Sequence, residues 1–211
     1  MRIVLFCHSL LSDWNHGNAH FLRGVVTELT LRGHEVRVLE PEDSWSLRNL
    51  LAEPGGAAVL EEVRGVYPAV RPERYSPDAL DLDRVLDGAH LVIVHEWSKP
   101  ELVRRLGERR RAGGSFRLLF HDTHHRSVSA REEMARYELS HYDGVLAFGD
   151  VIRRIYLERG RPRAPGRGTR PRTRACSTPC RTWRRSGSSS GWATGATTSA
   201  PRSCTSSSWS R

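Results

Sequence analysis

The sequence predicts a doubly wound α/β domain with a parallel sheet over residues 1–160, followed by a disordered, non-native tail at 161–211. Three observations carry that expectation. Short apolar runs of strand length alternate with segments of helical period. Glycine pairs and single glycines punctuate the junctions between them. Past Arg161 every aliphatic residue larger than Ala disappears, so the core-forming pattern stops there.

Arg2–Cys7 is a continuous apolar run and reads as a buried parallel strand. After a polar loop, Phe21, Leu22, Val25, Val26, Leu29 and Leu31 repeat close to every 3.6 residues, which predicts a helix with Asn18 as N-cap and Gly33 as its stop. Glu35–Glu40 alternates through Val36 and Val38 as the second strand, with Leu39 on the other face. Strand, helix and strand with short joins form a βαβ unit, whose crossover requires parallel pairing. Residues 41–75 are the least patterned, with a helix expected only over Ser46–Leu51.

The alternation then resumes. Helix is expected at Asp78–Leu86, strand at Leu91–Val94, helix at Pro100–Arg111 and strand at Phe116–Phe120 after Gly113-Gly114. Helix at Ala130–Tyr137, strand at Gly144–Phe148 and helix at Val151–Arg159 complete a five-strand count.

In an open parallel sheet, ligands collect at the carboxyl ends of the strands. The loop after the first strand carries Gly17 and Asn18 ahead of a helix, where backbone N–H groups and the helix dipole favour an anion. The alternative is a glycine that simply makes the turn. Neither GxGxxG nor a Walker lysine is present, so dinucleotide and P-loop ATP binding are not supported. His95-Glu96-Trp97 follows one strand, and His121-Asp122-Thr123-His124-His125-Arg126 follows the next. Two strand ends that each give a histidine and then an acid point to a reactive edge. Structural hydrogen bonding is the alternative. His124 and His125 are adjacent and poorly placed to share one zinc ion, so no metal is expected. Phe148-Gly149-Asp150 forms a fourth polar loop before a helix.

Several of these segments together resemble the first lobe of GT-B-fold glycosyltransferases. They are the Gly-bearing loop and helix ending in Leu31-Arg32-Gly33-His34-Glu35-Val36-Arg37-Val38, and the later Asp143-Gly144-Val145-Leu146-Ala147-Phe148. Glu40-Pro41 with Trp45, and the run at 121–126, resemble the CgeB-like (spore-maturation-type) branch. The resemblance implies a Rossmann-like acceptor-side domain and sugar transfer from a nucleotide-sugar donor to an acceptor, with no further cofactor. It assigns His121 to the reacting sugar groups, and Asp122, the acid beside it, is expected to join it in catalysis by orienting the imidazole or tuning its protonation. Gly17 and Asn18 would face the donor diphosphate, with His95, Glu96 and Arg126 on the same ligand edge. The donor-binding second lobe has no counterpart within residues 1–160, so the chain as it stands is expected to be inactive.

The tail holds eleven Arg and no Lys, Asp or Glu, and uses only Arg, Pro, Ala, Gly, Thr, Cys, Ser and Trp. Those eight residue types have codons with G or C at the middle base, as expected of a GC-rich gene read one frame off. The sequence pI near 10.2 comes from this tail. Residues 1–160 hold the remaining 22 basic and 24 acidic residues, a net charge of −2. Two other function classes follow from the same facts: a nucleic-acid-binding α/β protein with a basic arm, and a non-catalytic carbohydrate- or nucleotide-binding module. Phosphate binding by the arm would be sequence-blind. Cys7 reads as a core residue. The opening apolar run is too short for a signal or a membrane span. The expectation is a cytoplasmic protein, with peripheral membrane contact open.

Overall fold

The computed structural model describes residues 1–14, 17–124 and 126–158. The arginine-rich tail, and with it the expectation of a non-native segment, lies outside the described residues.

Six strands form one all-parallel sheet: β1 (Arg2–Phe6), β2 (Glu35–Pro41), β3 (Glu73–Tyr75), β4 (Leu91–His95), β5 (Arg117–Asp122) and β6 (Gly144–Ala147), in the order β3-β2-β1-β4-β5-β6. The domain is therefore a Rossmann-like doubly wound α/β fold. The chain runs outward from β1 to β2 and β3, then returns to pair β4 with the other side of β1. That reversal opens a crevice at the carboxyl ends of β1 and β4.

Side-chain alternation along the strands sends two sets of residues to opposite faces. Val4, Phe6, Leu39, Val92, Val94, Leu118 and Phe120 meet α4 (Leu82–Leu86) and α5 (Pro100–Arg111) in one core. Leu5, Cys7 and Val38 meet Leu22 and Val26 of α1 (Asn18–Leu31) in another. Gly33 (φ 78) ends α1 in a left-handed turn, with its N–H on the Thr30 carbonyl and that of His34 on the Leu29 carbonyl. Cys7 is a free, fully enclosed thiol of this second core.

The structure departs from the sequence expectations in several places. Asn18 is the first helical residue, not the N-cap; Gly17 holds that position in a helical conformation (φ −55, ψ −21). The segment 41–75 contains α2 (Trp45–Ala52), α3 (Gly56–Val66) and the sixth strand, β3. Its three residues, Glu-Arg-Tyr, show no apolar alternation because β3 is an edge strand, fixed by a two-pronged Arg37–Glu73 ion pair (2.9 and 2.8 Å). Asp81, whose side chain accepts from the Arg84 N–H, delays the start of α4 to Leu82. The expected helix at 130–137 is the shorter α7 (Arg131–Ala135), a separate short helix, α6 (Arg126–Ser129), precedes it, and α8 spans Gly149–Glu158.

Candidate functional site

β4 and β5 end side by side, with His95 and His121 paired in register. In-register neighbours on parallel strands share a face, and the two imidazoles lie 5.2 Å apart, edge to face. His121 is half-buried beneath Phe21, whose ring centroid is 5.9 Å away. Phe21 belongs to the first turn of α1, so the start of that helix and the end of β5 meet at one rim. Phe148, just before α8, completes an aromatic row at 6.4 Å from Phe21.

Burial pushes the His121 imidazole down to about 4, and the Asp122 charge only partly offsets this. The ring is therefore neutral at physiological pH and acts as a hydrogen-bonding group, not a cation. Gly17 at the N-cap has no side-chain acceptor for the first-turn N–H groups of α1. No neighbouring atom crowds the position a Cβ would take at Gly17. Its value to a ligand therefore lies in exposed backbone, not in tight packing.

Behind this rim is a buried polar cluster. His95 is fully enclosed: the Trp97 N–H donates to its Nδ1 (3.4 Å), and its Nε2 lies 3.4 Å from Thr123 Oγ1. Thr123 in turn donates from its hydroxyl (2.9 Å) and its backbone N–H (2.8 Å) to Glu96 Oε1. The network assigns the proton of His95 to Nε2. Glu96 Oε2 is buried without a partner among the described residues. Burial first, then the Asp122 charge, lifts the Glu96 carboxyl to about 7, against the Thr123 hydrogen bonds and the Arg126 charge.

Asp122 is fully buried, one residue past His121, and projects to the opposite face of the strand. Its carboxylate accepts from Ser127 Oγ (2.6 Å), Tyr156 Oη (2.8 Å) and the His124 N–H (3.3 Å). Asp122 thus organises the loop after β5 and acts on His121 through its charge. Similarly, His95 and Glu96 are enclosed braces behind the rim, not surfaces for direct contact with a ligand. The Arg126 guanidinium covers the Trp97 ring at 4.4 Å and is ion-paired with Glu133 at 2.9 Å. His16 and His125 lie outside the described residues.

A cavity of about 440 Å³ opens at the carboxyl ends of β1–β4, with Trp45, Tyr75, Trp97 and Ser98 among its walls. Sequence reading placed Trp97 on a strand-end loop but left the cavity unseen. Tyr75 comes from the unrecognised edge strand, and Trp45 from the helix that follows β2.

No protein-family model, no curated protein and no solved structure matches this chain. Among the described residues, no helix is long and apolar enough to cross a membrane.

Proposed function

We propose that residues 1–160 form the acceptor-side lobe of a glycosyltransferase that uses a nucleotide-sugar donor. The observation that carries this reading is the Phe21–His121 contact, which sets the open first turn of α1 beside a neutral histidine at the ligand edge of the sheet. The N–H groups of that turn suit the diphosphate that departs as the sugar C1–O bond breaks. The neutral imidazole suits an acceptor hydroxyl, taking up its proton as the hydroxyl oxygen bonds to C1 and the bond from C1 to the diphosphate breaks. Glu96, His95 and Asp122 hold the loops that shape this rim. The reading carries a cytoplasmic location with it.

It also requires a second lobe, which residues 161–211 cannot supply because they contain no aliphatic residue larger than Ala. The test is nucleotide-sugar turnover by the protein made with the reading frame shifted after codon 160. The His121→Ala and Gly17→Val variants of that product should each lose on the order of a hundredfold in kcat. A folded His121→Ala variant with parental turnover overturns the role of His121. A shifted frame that yields no foldable second lobe overturns the transferase reading.

A further inference from the structure

Glu96 and Asp122 are two acids buried side by side. The Glu96 N–H donates to the His121 carbonyl (2.9 Å) and extends the β4–β5 ladder by one residue. The two acids are therefore cross-strand neighbours on the face opposite His95 and His121, and both are fully enclosed. Glu96 Oε1 takes both Thr123 hydrogen bonds, while Oε2 has no partner among the described residues. The described donors on Asp122, from Ser127, Tyr156 and the His124 backbone, are all neutral. Arg126 favours a charge on Glu96, but its guanidinium is shared with Glu133 and the Glu96 carbonyl (3.3 Å). A charge on Glu96 would thus meet that of Asp122 in a site closed to water. Burial and the Asp122 charge hold the Glu96 carboxyl up to about 7, so the closed site keeps a proton that water would remove above about 4.3.

The walls of this site are unequally anchored. On one side the Tyr137 hydroxyl donates to the Glu96 carbonyl, and the Tyr137 ring packs on Phe120 at 5.2 Å against the larger core. On the other side is α8, which lays the Tyr156 hydroxyl on Asp122 and buries only Ile152. Burial and Asp122 raise the Tyr156 phenol, and the Glu96 charge adds to them, so α8 covers both acids. Phe148 is fixed to the sheet by its N–H on the Asp122 carbonyl (2.9 Å). Gly149 follows with a left-handed backbone (φ 85), and a swing of α8 would turn there. The other groups around Glu96 do not compete. Tyr137 and Tyr156, raised first by burial, keep their protons; Arg126 keeps its charge, paired with Glu133. His121 is neutral above about 4, and His95 reaches Glu96 through Thr123.

We propose that Glu96 and Asp122 form a protonation latch: neutral Glu96 lets α8 close over the ends of β4 and β5, and ionised Glu96 lifts α8 about Gly149 and admits water to both carboxylates. Lifting loosens the strand end that carries His121. Calling this a gate of sugar transfer rests on the transferase reading; the latch itself does not.

The test is amide hydrogen exchange of the full chain from pH 5 to 8.5, with protection corrected for the intrinsic rate. Protection in α8 should fall at least about tenfold between pH 5 and 7 and level off above, where Glu96 is ionised with α8 closed or open. Protection in α3, which can open without exposing Glu96, should stay flat. Glu96→Gln cannot ionise and should abolish the α8 slope, whereas Glu40→Gln, at another buried acid, should keep it. Asp122→Asn removes the repelling charge and should shrink the slope, and it decides the matter if Glu96→Gln does not fold. The latch is overturned by a flat α8 profile in the parent, or by an α3 profile that follows α8. A slope that survives Glu96→Gln, or is undiminished in Asp122→Asn, overturns it equally. None of these readouts involves a sugar nucleotide, so the transferase reading can fail while the latch stands.

Discussion

The Tyr156 hydroxyl of α8 donates to the Asp122 carboxylate at the end of β5 at 2.8 Å. One hydrogen bond thus ties the last described helix to the strand end that carries the candidate site. Ile152 is the one buried residue of α8 and Tyr156 is half-buried, so little apolar packing holds this helix in place. Burial, followed by the Asp122 charge and hydrogen bond, raises the phenol far above its usual range, and it remains a donor at any working pH. Tyr156→Phe should cost about 1–2 kcal/mol. Amide exchange should rise in α8 more than in β4 or β5. A variant with an unchanged urea midpoint and unchanged exchange would show that α8 is held by other contacts.

Gly56 identifies a second joint. A Cβ at this position would collide with the Leu50 carbonyl oxygen, because α3 starts directly against the end of α2. The obstacle is backbone, which cannot swing aside, so Gly56→Ala should destabilise the domain by about 1–3 kcal/mol. Gly65→Ala, with open space around the same test atom, should be neutral or slightly stabilising. Denaturant unfolding of the pair decides it; equal midpoints would mean that α2 and α3 separate easily.

These joints mark where the sequence was legible. β1, β4 and β5 announce themselves as apolar runs because both of their faces are covered, and Phe6 and Phe120 are fully buried as those runs demand, while β2 announces itself by alternation and the half-buried β6 by the short run Gly144–Ala147. β3 does not, because an edge strand of three residues uses an ion pair and backbone pairing instead of apolar burial. α3 buries only Gly56 and Leu60, too few positions to print a helical period. At the site, strand ends located His95 and His121 correctly, since topology alone puts them there. Composition could not tell that Asp122 turns away from His121, or that Ser98, an ordinary loop serine in sequence, holds an unsatisfied hydroxyl.

Glu96 gives the chain a pH signature. Its folded value near 7 lies above that of an unfolded glutamate, so the folded state binds the extra proton. The stabilisation is fully present below the unfolded value, about 4.3, and is lost as pH rises through 7. Glu40, lifted to about 7 chiefly by burial, acts in the same direction. His121, lowered to about 4, acts oppositely and adds stability as pH rises from 4 to 6.5. In Glu96→Gln the first contribution is gone. The stability of the variant relative to the parent should therefore rise between pH 5 and 8, whatever its sign at either end. Parallel pH profiles of the two urea midpoints would mean that Glu96 is already ionised in the folded domain.

His121 offers the most direct reading of the rim. The imidazole lies between the exposed Phe21 ring and the enclosed His95 ring, where water reaches it from few directions. Loss of hydration penalises the imidazolium more than the neutral ring. Asp122 would favour the cation, but its carboxylate is already engaged by Ser127, Tyr156 and the His124 N–H on the far face of β5. Desolvation wins, and the ring should titrate near 4. In a heteronuclear NMR titration, the His121 Cε1 and ring nitrogen shifts should stay flat from pH 8 to pH 5.5. Asp122→Asn removes the one charge that favours protonation, so it should lower the His121 midpoint further while leaving its neutral-form shifts in place. A His121 midpoint above 6 in the parent would mean that the ring is wetter than its position between Phe21 and His95 allows. A midpoint that rises in Asp122→Asn would mean that the carboxylate does not act on the imidazole by its charge.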